Sequence, residues 1–134
     1  MTQTELHPIL AKDCHTVGML STCQLLLMDD SQYPWLILVP DRPELRDMDE
    51  LSAADTPRVY GDINQASKML RRLFQPTKLN VAALGNMVPQ LHIHVIARFD
   101  NDPAWPKPVW GQRPAVAYSQ AALQDRLTQL RALL

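Results

Sequence analysis

The sequence lacks the features that would indicate a secreted or membrane-spanning protein. It contains only two cysteines, Cys14 and Cys23, and they do not form a CxxC pair. No apolar segment near the start of the chain has the composition of a signal peptide, and no run is long enough to span a bilayer. We therefore expect a cytoplasmic protein with two reduced, buried thiols.

A surplus of positive charge is also missing. Thirteen lysines and arginines stand against fourteen acidic residues, which gives a formal net charge of −1. Proteins that bind nucleic acids or anionic membranes concentrate basic side chains on one face, so the balance argues against either partner. The length of 134 residues, without internal repeats or low-complexity tracts, predicts a single domain over residues 1–134.

Two apolar runs in the first third of the chain predict a β-hairpin. Residues 23–28 and 33–39 are almost entirely apolar, and residues 29–32, Asp-Asp-Ser-Gln, have turn chemistry. Pro40 ends the second run. Before the hairpin, residues 1–20 predict an N-terminal arm followed by a short edge strand.

Two helices are predicted from apolar side chains that recur at spacings of three and four residues. The first runs from Pro57 to Phe74 and is preceded by a short helical turn near Met48. The second begins after Ser119, a favourable N-cap residue. It follows a segment rich in tryptophan and proline, and the two together occupy residues 99–134.

The stretch from Met87 to Arg98 is the only one in which potentially reactive side chains recur at a fixed spacing. Its β-branched residues predict a strand, and residues 79–84 should pair with it antiparallel through a tight turn at Gly85 and Asn86. Alternate side chains of a strand point to the same face. One row of the strand would therefore be polar, formed by Gln90, His92 and His94.

Two histidines on one strand face occur in metal sites, in catalytic sites and as plain hydrogen-bonding groups. A metal site would need a third ligand, such as His7, His15 or Cys14, and nothing in the spacing requires one. A nucleophilic site would need an oriented imidazole and donors for the attacked group, and Asn86, Gln90 and His94 lie close enough in sequence to supply them. We expect neither a metal nor a cofactor.

The stretch from residue 79 to residue 98 resembles the signature of the histidine triad superfamily of nucleotide hydrolases and transferases. The signature combines a strand asparagine, a glycine-containing turn and alternating histidines. The resemblance covers roughly residues 20–98 and implies an α+β fold, with a five-stranded antiparallel sheet, a long helix and, as a subgroup feature, a C-terminal helix. It also implies a two-fold homodimer. The matching residues here are Asn80, Gly85, Asn86, His92 and His94.

The resemblance assigns the reaction to the middle histidine. His92 would attack the α-phosphorus of a nucleotide, and water would resolve the nucleotidyl-histidine. His94 would contact the phosphate, and Gln90, at the place of the first triad histidine, would help to orient the row. The implied activity is hydrolysis of a dinucleoside polyphosphate such as a diadenosine polyphosphate, or of a nucleoside phosphoramidate, or else nucleotidyl transfer.

The same resemblance places the substrate-binding residues. Asn86 would donate to a phosphate oxygen, Asn80 stands at the strand asparagine, and Asp29 would hold the ribose hydroxyls, with Asp30 as the alternative. The chain departs from the pattern where Gln90 and Trp35 replace histidines. Those changes keep a second hypothesis open, a nucleotide-binding or interaction protein with weak or no turnover.

Overall fold

A five-stranded antiparallel sheet forms the centre of the structure, a computed structural model that describes residues 3–134. The strand order across the sheet is β1-β2-β3-β5-β4. The α+β fold predicted from the sequence is confirmed, as is the β2–β3 hairpin. The strands are β1 (Cys14–Met19), β2 (Cys23–Met28), β3 (Trp35–Pro40), β4 (Lys78–Ala82) and β5 (Ile93–Arg98).

The helices within the described part of the chain are α1 (Pro8–Asp13), α2 (Asp55–Phe74) and α3 (Gln120–Arg131), with a 3-10 turn at Met48–Glu50. The Ser119 hydroxyl accepts a hydrogen bond from Ala122 N at 3.2 Å, so the predicted N-cap is confirmed. Helix α2 ends where Gln75 adopts a left-handed conformation. Helix α1 lies in a region where only an arm and a strand were expected.

Apolar side chains bury both faces of the sheet. On one face, alternate residues of β2, β3 and β5 pack against α2 and α3, and the predicted stripe of α2 is buried there, except that Leu73 is only partly buried. On the other face, Leu10 of α1 joins a second cluster with residues of the Trp/Pro segment, residues 100–114. The side chains of β3 and β5 on this second face are Trp35, Ile37, Val39, His94, Ile96 and Arg98.

The predicted strand from Met87 to Arg98 is wrong at its beginning, because β5 starts only at Ile93. Its neighbour β4 ends at Ala82, opposite His94, so β4 offers no pairing partner to the residues that precede β5. The backbone N–H of Leu91 instead donates to Leu45 O at 2.9 Å. The connection between β4 and β5 is therefore the loop 83–92, not a tight turn at Gly85 and Asn86.

Among the described residues, no helix combines the length and the apolar character that crossing a bilayer requires.

Candidate active site around the histidine pair

His92 is the last residue of the loop 83–92, and its ring is oriented by the chain itself. Its Nδ1 lies 2.7 Å from the backbone oxygen of Gln90. A carbonyl oxygen only accepts hydrogen bonds, so Nδ1 carries the proton and donates. Within residues 3–134 no hydrogen bond reaches Nε2 of His92. This nitrogen keeps its lone pair available for another group.

His94 lies beside His92 on the same face of the sheet, with ring centroids 5.0 Å apart. Its Nδ1 accepts a hydrogen bond of 3.0 Å from Nε1 of Trp35 on the neighbouring strand β3. Burial and then the nearby His92 lower the pKa of His94 from 6.5 to about 4. His94 is therefore uncharged at neutral pH.

The ring of Trp110 forms a further wall of the histidine pair. It meets His94 edge to face, with centroids 5.0 Å apart, and meets Trp35 in the same way at 5.9 Å. Edge-to-face contact is a favourable arrangement for aromatic rings. These two contacts hold the Trp/Pro segment against the face of the sheet that carries the histidines. Trp35 is buried and Trp110 is partly buried, so both indoles are packed within the protein beside His94.

His92 lines a cavity of about 340 Å³ together with Arg46, Leu84 and Gly85. Gly85 has a φ of 76°, and a Cβ at this position would lie 3.3 Å from Val88 O, so the loop requires glycine there. Arg46 brings a positive charge to the wall of the cavity. Sequence reasoning missed Arg46, because one arginine in a charged loop has no spacing that would single it out.

Gln90 is the predicted site residue whose side chain points elsewhere. Its Oε1 accepts from His7 N at 2.7 Å and its Nε2 donates to Glu5 O at 3.1 Å. The amide thus binds the N-terminal arm, and only the backbone oxygen of Gln90 orients His92. Arm residues, Gln90 and Arg46 together line a larger cavity of about 940 Å³.

The other residues predicted for the site are Asn86, Asn80 and Asp29, and each lies in a different surrounding. Asn86 is exposed in the same loop as His92. Asn80 is one strand away and accepts from Arg98 Nη1 at 2.8 Å, so its amide oxygen is engaged. Asp29 lies with Trp35 and Trp110 on the wall of a third cavity, of about 460 Å³.

Asp29 and its neighbour Asp30 differ in the hydrogen bonds that their carboxylates accept. Asp29 Oδ1 accepts from Tyr118 N at 3.0 Å and lies 3.2 Å from Nε2 of His15, without the geometry of a hydrogen bond to it. Asp30 is buried and accepts from both the backbone and the side chain of Gln32. Asp29 is therefore the better placed of the two to meet a ligand.

No group of three or more His, Cys, Asp or Glu side chains is arranged to hold a metal ion within residues 3–134. The three residues considered above as additional metal ligands, His7, His15 and Cys14, have other surroundings. His7 accepts from Ile9 N at the start of α1, His15 lies beside Asp29, and Cys14 is buried.

The HIT domain family matches residues 10–101 of the chain. A histidine triad protein from Marinobacter aquaeolei VT8 is 43% identical, with a TM-score of 0.95 over 99% of this chain and 97% of that one. A histidine triad protein from Bradyrhizobium japonicum is 38% identical, with a TM-score of 0.94 over 98% of both chains. One from Sinorhizobium meliloti 1021 is 38% identical, with a TM-score of 0.94 over 99% of this chain and 98% of that one. Among curated proteins none matches.

Proposed function

The chain belongs to the HIT domain family, whose members are generally nucleotide hydrolases or transferases, and we propose that it hydrolyses or transfers a nucleotidyl group through a covalent intermediate on His92. The observation that carries the proposal is the hydrogen bond from His92 Nδ1 to Gln90 O. It leaves the lone pair on Nε2, which is the nitrogen that can attack phosphorus.

In the proposed first step, Nε2 of His92 forms a bond to the α-phosphorus, and the bond from phosphorus to the leaving group breaks with its electron pair on the leaving group. A phosphate leaving group departs as the anion, whereas the amine of a phosphoramidate takes a proton from solvent as it leaves. In the second step, a water or an acceptor nucleophile attacks the same phosphorus and the N–P bond breaks. A water used in this way loses a proton to solvent and yields a nucleoside monophosphate. The substrate class is a dinucleoside polyphosphate or a nucleoside phosphoramidate.

Other residues of the site support binding of such a substrate. Arg46 lies on the wall of the cavity that His92 lines and can offset phosphate charge. Asn86 and backbone N–H groups of the same loop can donate to phosphate oxygens. Trp110 and Asp29 line the third cavity and are suited to stack on a base and to accept from ribose hydroxyls. Asn80 would act indirectly, by holding Arg98.

A second candidate function is nucleotide binding without turnover. It is favoured by the two departures from the triad pattern, since the Gln90 amide is engaged by the arm and Trp35 cannot titrate. In this form of the proposal the cavities and Arg46 still bind the ligand, and His92 is not modified.

Trapping a nucleotide on His92 distinguishes the two candidates. The protein is mixed with adenylylated and guanylylated compounds, quenched under alkaline conditions that preserve phosphoramidates, and analysed by peptide mass spectrometry. We expect a nucleotidyl adduct on the His92 peptide, absent in His92→Ala and present in His15→Ala. Binding by calorimetry without any adduct would favour the second candidate, and an adduct that persists in His92→Ala would refute His92 as nucleophile.

We also propose that the protein is a symmetric homodimer. Strand β4 lies at the edge of the sheet, and the exposed fraction is 50% for Val81 and 64% for Tyr60 of α2. A free strand edge and exposed apolar side chains are suited to contact with a second copy of the chain. Sedimentation at micromolar concentration should give the dimer mass, and a single species at the monomer mass would exclude it.

A further inference from the structure

Trp35 and His94 form a buried pair across β3 and β5. Trp35 is opposite Ile96 and His94 is opposite Ile37, so the two side chains are diagonal neighbours on the same face. The indole Nε1 lies 3.0 Å from His94 Nδ1. The exposed fraction is 6% for Trp35 and 5% for His94, so water does not compete for this hydrogen bond.

The direction of this hydrogen bond determines where the proton of His94 lies. An indole N–H can only donate, so Nδ1 of His94 must accept. An uncharged imidazole carries one proton, which is therefore on Nε2. The other tautomer, or the imidazolium, would point an N–H at the indole N–H and leave a buried donor unsatisfied. That cost corresponds to a preference of roughly tenfold to a hundredfold for the Nε2–H tautomer.

Neither ring is free to turn away from the other. Trp110 packs edge to face against both, at centroid distances of 5.0 Å from His94 and 5.9 Å from Trp35. On the other side His92 packs against His94 at 5.0 Å. The ring of His94 is thus held in contact with the ring of His92, the residue assigned as the nucleophile.

We propose that Trp35 is a positioning residue, which fixes His94 as the Nε2–H tautomer and makes it a permanent hydrogen-bond donor to the phosphoryl group attacked by His92. The donation from His94 to the phosphoryl group rests on the proposed function. The assignment of the His94 tautomer does not rest on it, because it follows from the hydrogen bond with Trp35. His94 keeps its proton throughout, because Trp35 cannot accept one and so cannot continue a proton relay beyond Nδ1.

The lowered pKa of His94 agrees with this assignment. Burial and His92 bring it to about 4, so the ring is not an imidazolium at neutral pH. The tryptophan that replaces a triad-pattern histidine at position 35 therefore has a chemical effect on His94. A histidine at this position could donate or accept, whereas tryptophan allows one arrangement only.

The tautomer can be measured on the full chain without any substrate. Long-range ¹H–¹⁵N spectra of protein labelled in histidine, recorded at pH 7.5 and assigned with a His94→Asn variant, should show Nε2 of His94 protonated and Nδ1 unprotonated. In Trp35→Phe this preference should fall by about tenfold or more. The matched control is Trp110→Phe, which removes the other indole at His94 but not the hydrogen bond, and it should retain the tautomer.

Kinetics test the role in the reaction. With a compound that labels His92, Trp35→Phe should slow adduct formation at saturating substrate with little change in KM, while Trp110→Phe should raise KM. An unchanged labelling rate in Trp35→Phe would overturn the positioning role and leave His92 as nucleophile. If His94 in the unaltered protein shows a protonated Nδ1, the tautomer assignment is refuted whether or not any variant folds. Failure to label His92 with any compound would refute the proposed function alone.

Discussion

Replacing Gln90 tests how the N-terminal arm is held against the site. Its amide makes two hydrogen bonds to the arm, one from His7 N and one to Glu5 O. Each neutral hydrogen bond contributes about 1 kcal/mol net, so Gln90→Ala should weaken docking of this part of the arm by about 2 kcal/mol. That is roughly a thirtyfold change in the ratio of docked to undocked arm.

The matched variant is Gln90→Glu, which has the same shape. A carboxylate still accepts from His7 N but cannot donate to Glu5 O, so it should lose about 1 kcal/mol. Thr4 is held separately, by Asp41 Oδ1 through its N–H and by Gln24 through its carbonyl. The loss of docking should therefore be confined to the few residues after Thr4.

Amide hydrogen exchange read by NMR measures this directly. Exchange at His7 should be fastest in Gln90→Ala, intermediate in Gln90→Glu and slowest in the unaltered protein, while Thr4 changes little. Asn86→Ala, an exposed change in the same loop as Gln90, is the control and should leave His7 unaffected. Equal protection of His7 in Gln90→Ala and in the unaltered protein would refute the reasoning.

Three further predictions concern stability and reactivity. Asp62, buried in α2, accepts three backbone N–H groups, from the two residues before β2 and from its first residue Cys23, so Asp62→Ala should lower the free energy of unfolding in urea by about 3 kcal/mol or more. Asp102→Asn should lower it by about 3 kcal/mol at pH 7, because it leaves the buried Arg98 guanidinium without a counter-charge. Cys14 should react only slowly with iodoacetamide at pH 8, followed by mass spectrometry, because burial and then the charges of Asp13 and Asp29 raise its pKa to about 12.

The effect of Asp102 should also depend on pH in a defined direction. Burial raises the pKa of this carboxyl, but hydrogen bonds from Arg98 and from backbone N–H groups outweigh burial and hold the pKa below its ordinary 3.8. A lowered folded-state pKa contributes stability above the unfolded value, and this contribution is lost as pH falls through the folded value. The difference between the unaltered protein and Asp102→Asn should therefore shrink below about pH 4. A constant difference from pH 7 to pH 3 would contradict this assignment.

The outcomes that contradict the other two predictions are equally simple. An Asp62→Ala variant as stable as the unaltered protein would mean that its backbone partners find water or other acceptors. Rapid alkylation of Cys14 in the folded protein would mean that the strand edge at β1 opens often enough to expose it.

The sequence by itself determined most of the elements. Spacing along α2 predicts the helix and the side chains that it buries, and Ser119 predicts where α3 begins, because helix periodicity and N-cap chemistry depend only on residues three or four positions apart. The hairpin of β2 and β3 follows from two apolar runs around a polar turn. The contact of His92 with His94 agrees with the predicted alternation, although His92 lies just before β5 and the side chain of Gln90 does not continue the row.

Tertiary structure alone decided what surrounds the histidines. Trp35 donates to His94 across 59 positions of sequence, and Gln90 binds Glu5 and His7 across more than 80. The late start of β5 depends on where β4 ends and on the bond from Leu91 to Leu45. Such contacts form when distant segments pack on a common sheet, and no local spacing encodes them, so the chemical state of His94 could be inferred only after the indole of Trp35 was seen beside it.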